Sequence, residues 1–255
     1  MKKTELITLL NSVLNTEYYS VFDISQNGVQ VDNAKEEINK ICFAVDACYD
    51  SVKCASDENA DMLFVHHGLY WGSPVILKGI NYNRFAALIK NDIMLYASHL
   101  PLDANMCFGN NFTMAKVLNL KNIQPFCEFN TVKIGAVGNS DKPYDIQGVI
   151  DTLGFNSDSD LKILPFGKKK DIKRIGIVSG GAAEERDLRQ AIKEGADLYI
   201  TGEHSHILYH IAKEEKISVI SGGHYFTETF GVKSVADFLT NKGLVCKFID
   251  IPTGM

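Results

Sequence analysis

Two histidines end the apolar run Met62-Leu63-Phe64-Val65-His66-His67-Gly68. Neutral imidazoles bind divalent ions, and successive strand side chains alternate faces, so this pair diverges and can serve two different ions. His224 and Glu228 form a second pair. On a helix, residues at i and i+4 share a face about 5–6 Å apart at Cβ, close enough to converge on one site. His99 stands four residues before Asp103 in His99-Leu100-Pro101-Leu102-Asp103. Each feature has an ordinary alternative. A buried histidine can simply satisfy a hydrogen bond, Asp103 can be a turn residue or helix cap, and His224 with Glu228 can be a solvated helix start. His99 is either a ligand or a partner that holds Asp103. Glu203, His204, His206 and His210 form a further cluster, whose alternative is a set of plain surface histidines. Imidazoles with carboxylates and no thiolate suit zinc, iron, manganese, cobalt or nickel. Two such ions about 3.5–4 Å apart lower the pKa of a water between them towards neutrality. That chemistry is hydrolysis, with His99 and Glu203 as candidates for orienting ligands or carrying protons.

Such a site needs strands whose carboxyl ends share an edge, where ligands gather in open α/β sheets. Residues 62–65 are apolar without alternation, as in a strand buried on both faces of a parallel sheet. The pattern predicts helices over 3–14, 50–59, 83–91, 184–194 and 209–213, and one running from His224 towards Leu239. It predicts strands over 38–45, 93–97, 174–178, 198–201, 217–220 and 245–251. Asn27-Gly28 is a turn signal between β-prone pieces, and Asn110-Asn111 is a cap for a helix through Met114 and Val117. Residues 122–175 read as a connecting region, with strands near 132–137 and a short helix over 146–153. Ser179-Gly180-Gly181 before a helix suits either a phosphate or a tight turn. Ala60-Asp61-Met62-Leu63-Phe64-Val65 resembles Ala196-Asp197-Leu198-Tyr199-Ile200-Thr201. Each lies between a strand–helix and a helix–strand, and each following strand ends in a histidine with a carboxylate four residues on. Two βαβαβ-like units facing one site would explain this repeat.

The formal net charge of −5 gives no electrostatic reason for a nucleic-acid partner. The basic run Lys168-Lys169-Lys170 reads as a solvated loop. Six cysteines without a C-x-x-C pair fit a reducing compartment. No run approaches the roughly 20 apolar residues of a membrane span, and Glu5, Asn11 and Asn15 interrupt any signal-like segment. The expectation is a cytoplasmic protein.

Taken in order, Asn27-Gly28-Val29-Gln30-Val31, Ala60-Asp61 through His66-His67-Gly68, His99-Leu100-Pro101-Leu102-Asp103-Ala104, Thr201-Gly202-Glu203 and Gly223-His224 with Glu228 resemble one family. It is the family of GTP cyclohydrolase 1 type 2 homologs, or NGG-interacting-factor-3-like proteins, in its short form. The resemblance implies an α/β fold of two related lobes, with mixed or parallel sheets flanked by helices. Residues 1–125 would form the first lobe, with His66, His67 and Asp103. Residues 126–255 would form the second, with His224 and Glu228, the two being interlinked. It further implies two divalent metal ions per chain, with Glu228 touching both, and a toroidal homohexamer. The implied activity is metal-dependent hydrolysis of a small nucleotide-like substrate. The alternative is a non-catalytic metal-binding scaffold or regulatory partner. Tyr225, where relatives often carry a second histidine, and the histidines after Glu203 depart from the family pattern.

Overall fold

A computed structural model describes residues 1–255, apart from the side chain of Ser157. In chain order the elements are α1 (Lys3–Leu14), α2 (Thr16–Ser20), β1 (Gly28–Val31), β2 (Lys40–Asp46), α3 (Tyr49–Asp57), β3 (Met62–His67), α4 (Ile80–Lys90), β4 (Met94–Ala97), α5 (Leu100–Asp103) and α6 (Asn110–Val117). There follow β5 (Lys121–Phe129), β6 (Val132–Tyr144), α7 (Ile146–Leu153), β7 (Lys162–Pro165), β8 (Ile172–Val178), α8 (Glu185–Lys193), β9 (Leu198–Thr201), α9 (His206–Glu214), β10 (Ser218–Ser221), α10 (His224–Thr240) and β11 (Val245–Phe248). The chain divides into two compact units. One holds residues 1–108 and 231–251, the other 109–230 and 252–255. The division falls at 108/109 rather than 125/126, and residues 231–251 return to the first unit.

The first unit contains a five-stranded sheet ordered β1-β4-β3-β2-β11. Strands β2, β3 and β4 are parallel, and β1 runs antiparallel beside β4. Alternation sorts each strand onto two buried faces. Phe43, Phe64 and Tyr96 stand side by side on one face, with ring centroids 5.3 and 5.5 Å apart, and pack with Leu6, Leu10, Val232 and Leu239. Full burial of each such side chain contributes about 1.5–3 kcal/mol. Cys42, Leu63, Val65 and Leu95 face the other way, onto Val52, Ala55 and Leu88.

The second unit contains a six-stranded sheet ordered β5-β6-β8-β9-β10-β7. Again three strands are parallel, β8, β9 and β10, and an antiparallel strand, β7, lies beside the last of them. The two Ala-Asp sites do the same work in each unit. The Asp61 carboxylate accepts from the amides of Asn39 and Lys40 at 2.7 and 2.9 Å, and from Lys35 at 2.6 Å. The Asp197 carboxylate accepts from the amides of Lys173 and Arg174 at 2.9 and 3.0 Å, and pairs with Lys168 at 2.7 Å. Each aspartate therefore pins the start of the neighbouring parallel strand. The repeat in sequence is a repeat in structure.

Two expectations need correction. Residues 122–175 do not merely connect: β5 and β6 form a long hairpin that contributes two strands of the second sheet. Its first strand is half exposed and contains Pro125, so it lacks the apolar run of a buried strand. Asn110 and Asn111 lie inside α6, whose amino end is Gly109 with no side-chain cap. Both are buried; Asn111 donates to Ile134 O and accepts from the amide of Ser179. Among the described residues no helix is long and apolar enough to cross a membrane.

Candidate metal centre

In the first unit the carboxyl ends of β2, β3 and β4 lie side by side, with Asp46 opposite His67 in the parallel register. His66 is fully buried and His67 half buried. The two side chains lean on opposite neighbours. His66 Nδ1 is 2.9 Å from the carbonyl of Ser98, just beyond β4, and His67 Nδ1 is 2.8 Å from Asp46 Oδ1, at the end of β2. A carbonyl or carboxylate oxygen can only accept, so each Nδ1 carries the hydrogen, and in the neutral ring Nε2 is the nitrogen with the lone pair. The rings nonetheless stay together, with centroids 4.6 Å apart. The divergence expected from strand alternation is therefore confined to the anchors.

His99 follows the same rule. Its Nδ1 lies 3.0 and 3.1 Å from the two carboxylate oxygens of Asp23. Asp23 also accepts from the amides of Ser25 and Leu100 and from Asn27 Nδ2, each at 2.9 Å. Burial works to raise the Asp23 carboxyl, but His99 and these donors outweigh it and hold it below its ordinary value. Asn27 Oδ1 accepts from the His99 amide at 2.7 Å, which fixes the backbone that carries the ring. His99 thus leans on Asp23 rather than on Asp103. His66, His67 and His99 each offer a ring nitrogen within 4.8 Å of the others. Asp103 ends the short helix α5, which Pro101 helps to start, and its Oδ2 lies 3.5 Å from His66 Nε2. The indole of Trp71, held by its Nε1 hydrogen bond to Gly68 O, packs edge-on against His99 with centroids 5.0 Å apart.

In the second unit α10 opens with His224, and Glu228 follows one turn later with Oε2 3.3 Å from His224 Nε2. Glu203, just beyond β9, accepts from His224 Nδ1 at 2.6 Å. Burial alone would lower the imidazole, but Glu228 and Glu203 outweigh it and raise its pKa to about 9. The negative charge that holds a proton there also favours a divalent cation. Glycines bring the backbone close to these side chains. A Cβ on Gly180 would collide with Glu228 Oε1 and lie 3.3 Å from His224 Nε2, and one on Gly202 would lie 2.6 Å from Gly180 O. The Ser179-Gly180-Gly181 segment is accordingly a close-approach turn, positioned by Asn111. It is no phosphate holder, because α8 begins with the acidic Glu184, Glu185 and Asp187, of which Glu184 and Asp187 form its capping box.

The candidate ligands and proton carriers thus fall in two clusters, His66, His67, His99 and Asp103 in one unit and Glu203, His224 and Glu228 in the other. His206 and His210 stack edge to face on α9 with centroids 6.2 Å apart, and neither they nor His204 belong to a metal-capable group of described residues. Asp23 and Asp46 escaped the sequence reading. Asp46 was legible as the polar residue ending a buried strand; Asp23 carried no local signal. The donors fit a divalent first-row metal, because four histidines present Nε2 beside carboxylates and no cysteine joins the groups.

The sequence profile of the Duf34/NIF3 (NGG1p interacting factor 3) family matches residues 1–253. Proteins named GTP cyclohydrolase 1 type 2 homolog from Pyrococcus horikoshii and Pyrococcus abyssi are 42% and 40% identical over 260 aligned positions, covering both chains completely. A Thermus thermophilus protein of known crystal structure is 36% identical with a TM-score of 0.87 over the whole of both chains. Reduced HcgD from Methanocaldococcus jannaschii is 26% identical with a TM-score of 0.83 over 98% of each chain.

Proposed function

The chain belongs to the Duf34/NIF3 family, and from that premise we propose that it is a metal-dependent hydrolase acting on a small nucleotide-like substrate. His66, His67, Asp103, His224 and Glu228 would hold two divalent ions, with Glu228 shared between them, and six chains would close into a ring. The observation that carries the metal reading is the common anchoring: His66, His67 and His224 each turn Nδ1–H to an acceptor, so that Nε2 is the nitrogen that would bind a metal in place of a proton. When bound, such ions lower the pKa of a water towards neutrality and polarise the electrophile. Glu203 and Asp46 orient the imidazoles they accept from. Asp23 keeps the hydrogen on His99 Nδ1, so His99 Nε2 is free to take a proton from the nucleophile and return it to a departing nitrogen. Trp71 shields one side of that ring from water.

Relatives named GTP cyclohydrolase 1 type 2 homolog support a purine nucleotide as the first substrate to try. The family's other name, NGG1p interacting factor 3, favours a second reading, a metal-binding scaffold or regulatory partner without turnover. Assay of the metal-loaded protein against a nucleotide panel separates the two. Turnover abolished by a chelator and restored by metal supports the hydrolase. Stoichiometric metal with no turnover across the panel supports the scaffold.

A further inference from the structure

A separate cavity of about 510 Å³ opens at the amino end of α9 in the second unit, and it contains none of the proposed metal ligands. Lys162, His204 and His206 line it together with Ser221, and Leu164 and Tyr209 form its apolar side. No carboxylate is among the lining residues. The helix start is not capped from within: Ser205, at the cap position, makes no capping bond and instead donates its hydroxyl to Ala183 O at 2.6 Å. The first amides of α9 therefore keep their donors, and the helix dipole adds positive potential there.

An independent observation comes from β10. Ser221 ends that strand and is only 3% exposed, yet its hydroxyl has no hydrogen-bond partner among the described residues. Val219, two residues earlier, packs with Leu208 of α9, so strand alternation turns Ser221 to the same side, into the cavity. That hydroxyl is a donor presented to whatever fills the cavity. Asp160 pairs with Lys162 at 3.0 Å and lies 3.6 Å from His204, from outside the lining. It holds the Lys162 ammonium and the His204 ring in place at the cavity mouth.

We propose that this cavity binds a phosphate ester. The phosphate oxygens accept from the first amides of α9, from Ser221 Oγ and from Lys162, and His206 adds a further donor. The body of the ester rests on Leu164 and the ring of Tyr209. The cavity volume exceeds what inorganic phosphate alone would fill and suits a small organic ligand. The histidine-rich segment after Glu203 is then part of a ligand site rather than a plain surface cluster.

The test is equilibrium dialysis of labelled inorganic phosphate against the metal-loaded protein and against the same protein after chelation. One phosphate per chain should remain bound after chelation. Ser221→Ala and Lys162→Gln should each weaken that binding about tenfold, as expected for loss of a hydrogen bond to a charged group, with metal content unchanged. Lys162 is exposed, so its variant stays folded whatever Ser221→Ala does. NMR of the histidine ring protons should show His204 and His206 shifting with the added phosphate. Phosphate binding that disappears with the chelator, or that survives both substitutions undiminished, would overturn the proposal.

Discussion

Gly180→Ala should strip metal from the protein at little expense to the fold. Gly180 has φ +66°, a left-handed conformation that disfavours any Cβ by about 1–2 kcal/mol. For a chain of this length that lowers the melting temperature by about 2–8 °C. The second effect is local. The new methyl would occupy the position of the Glu228 carboxylate and press on His224 Nε2. An exposed glutamate would swing aside, but this side chain is only 4% exposed. Nor can the backbone retreat, because the Gly180 amide donates to Thr227 Oγ1 at 3.1 Å and Gly202 packs against the Gly180 carbonyl. Glu228 must therefore leave His224. Metal affinity should fall by about 10–100-fold, the range for disturbing the support of a metal ligand. Gly154→Ala is the matched control, with φ +72° and nothing within 4 Å of the added methyl. Thermal melts with elemental analysis after dialysis read both effects. Similar destabilisation in the two variants, with metal lost from Gly180→Ala alone, is expected. Equal metal in both folded variants would refute the reasoning.

Asp46→Asn removes the charge that orients His67 and offers the ring a donor as well as an acceptor. Competition with a chromogenic chelator should show metal binding weakened about 10–100-fold, and an unchanged affinity would remove Asp46 from the account. Asp61→Ala tests the strand-pinning carboxylates. Burial raises the Asp61 carboxyl, but Lys35 and the amides of Lys40 and Asn39 outweigh it and hold it below its ordinary value. A lowered folded-state pKa stabilises above the unfolded value of about 4 and fades as the pH falls through the folded one. The variant should melt about 2–8 °C lower at pH 7, corresponding to about 1–2 kcal/mol, and the gap should close in acid; a gap constant with pH would contradict this. Light scattering should return a mass near six times 28.3 kDa, and a monomer at micromolar concentration would exclude the ring.

The readable parts of the sequence were those with local causes. Apolar runs such as Met62 to Val65 announce strands buried on both faces, and the residues that follow them at the carboxyl edge announce the chemistry. The Ala-Asp repeat was visible because the same backbone bonds select the same residues twice. What stayed hidden was tertiary. Asp46 matters through the register that places it opposite His67, and Asp23 through a loop 76 residues away from His99 in sequence. The β5–β6 hairpin was obscured by positive-φ residues at Asn122, Cys127, Asn130 and Thr131, which break the period-two pattern of an ordinary strand pair. The expectation that the His66 and His67 rings diverge took account of alternation but not of the neighbouring strand ends, which draw their Nδ1 atoms apart while the rings stay together.

The central claim, a pair of divalent ions held by histidines anchored through Nδ1 and by carboxylates, is tested most directly by counting metal. The chain should be purified without chelator, saturated with a divalent first-row metal, desalted and analysed for metal and protein together. Two ions per chain is the predicted result. One ion or fewer per chain after saturation would contradict it.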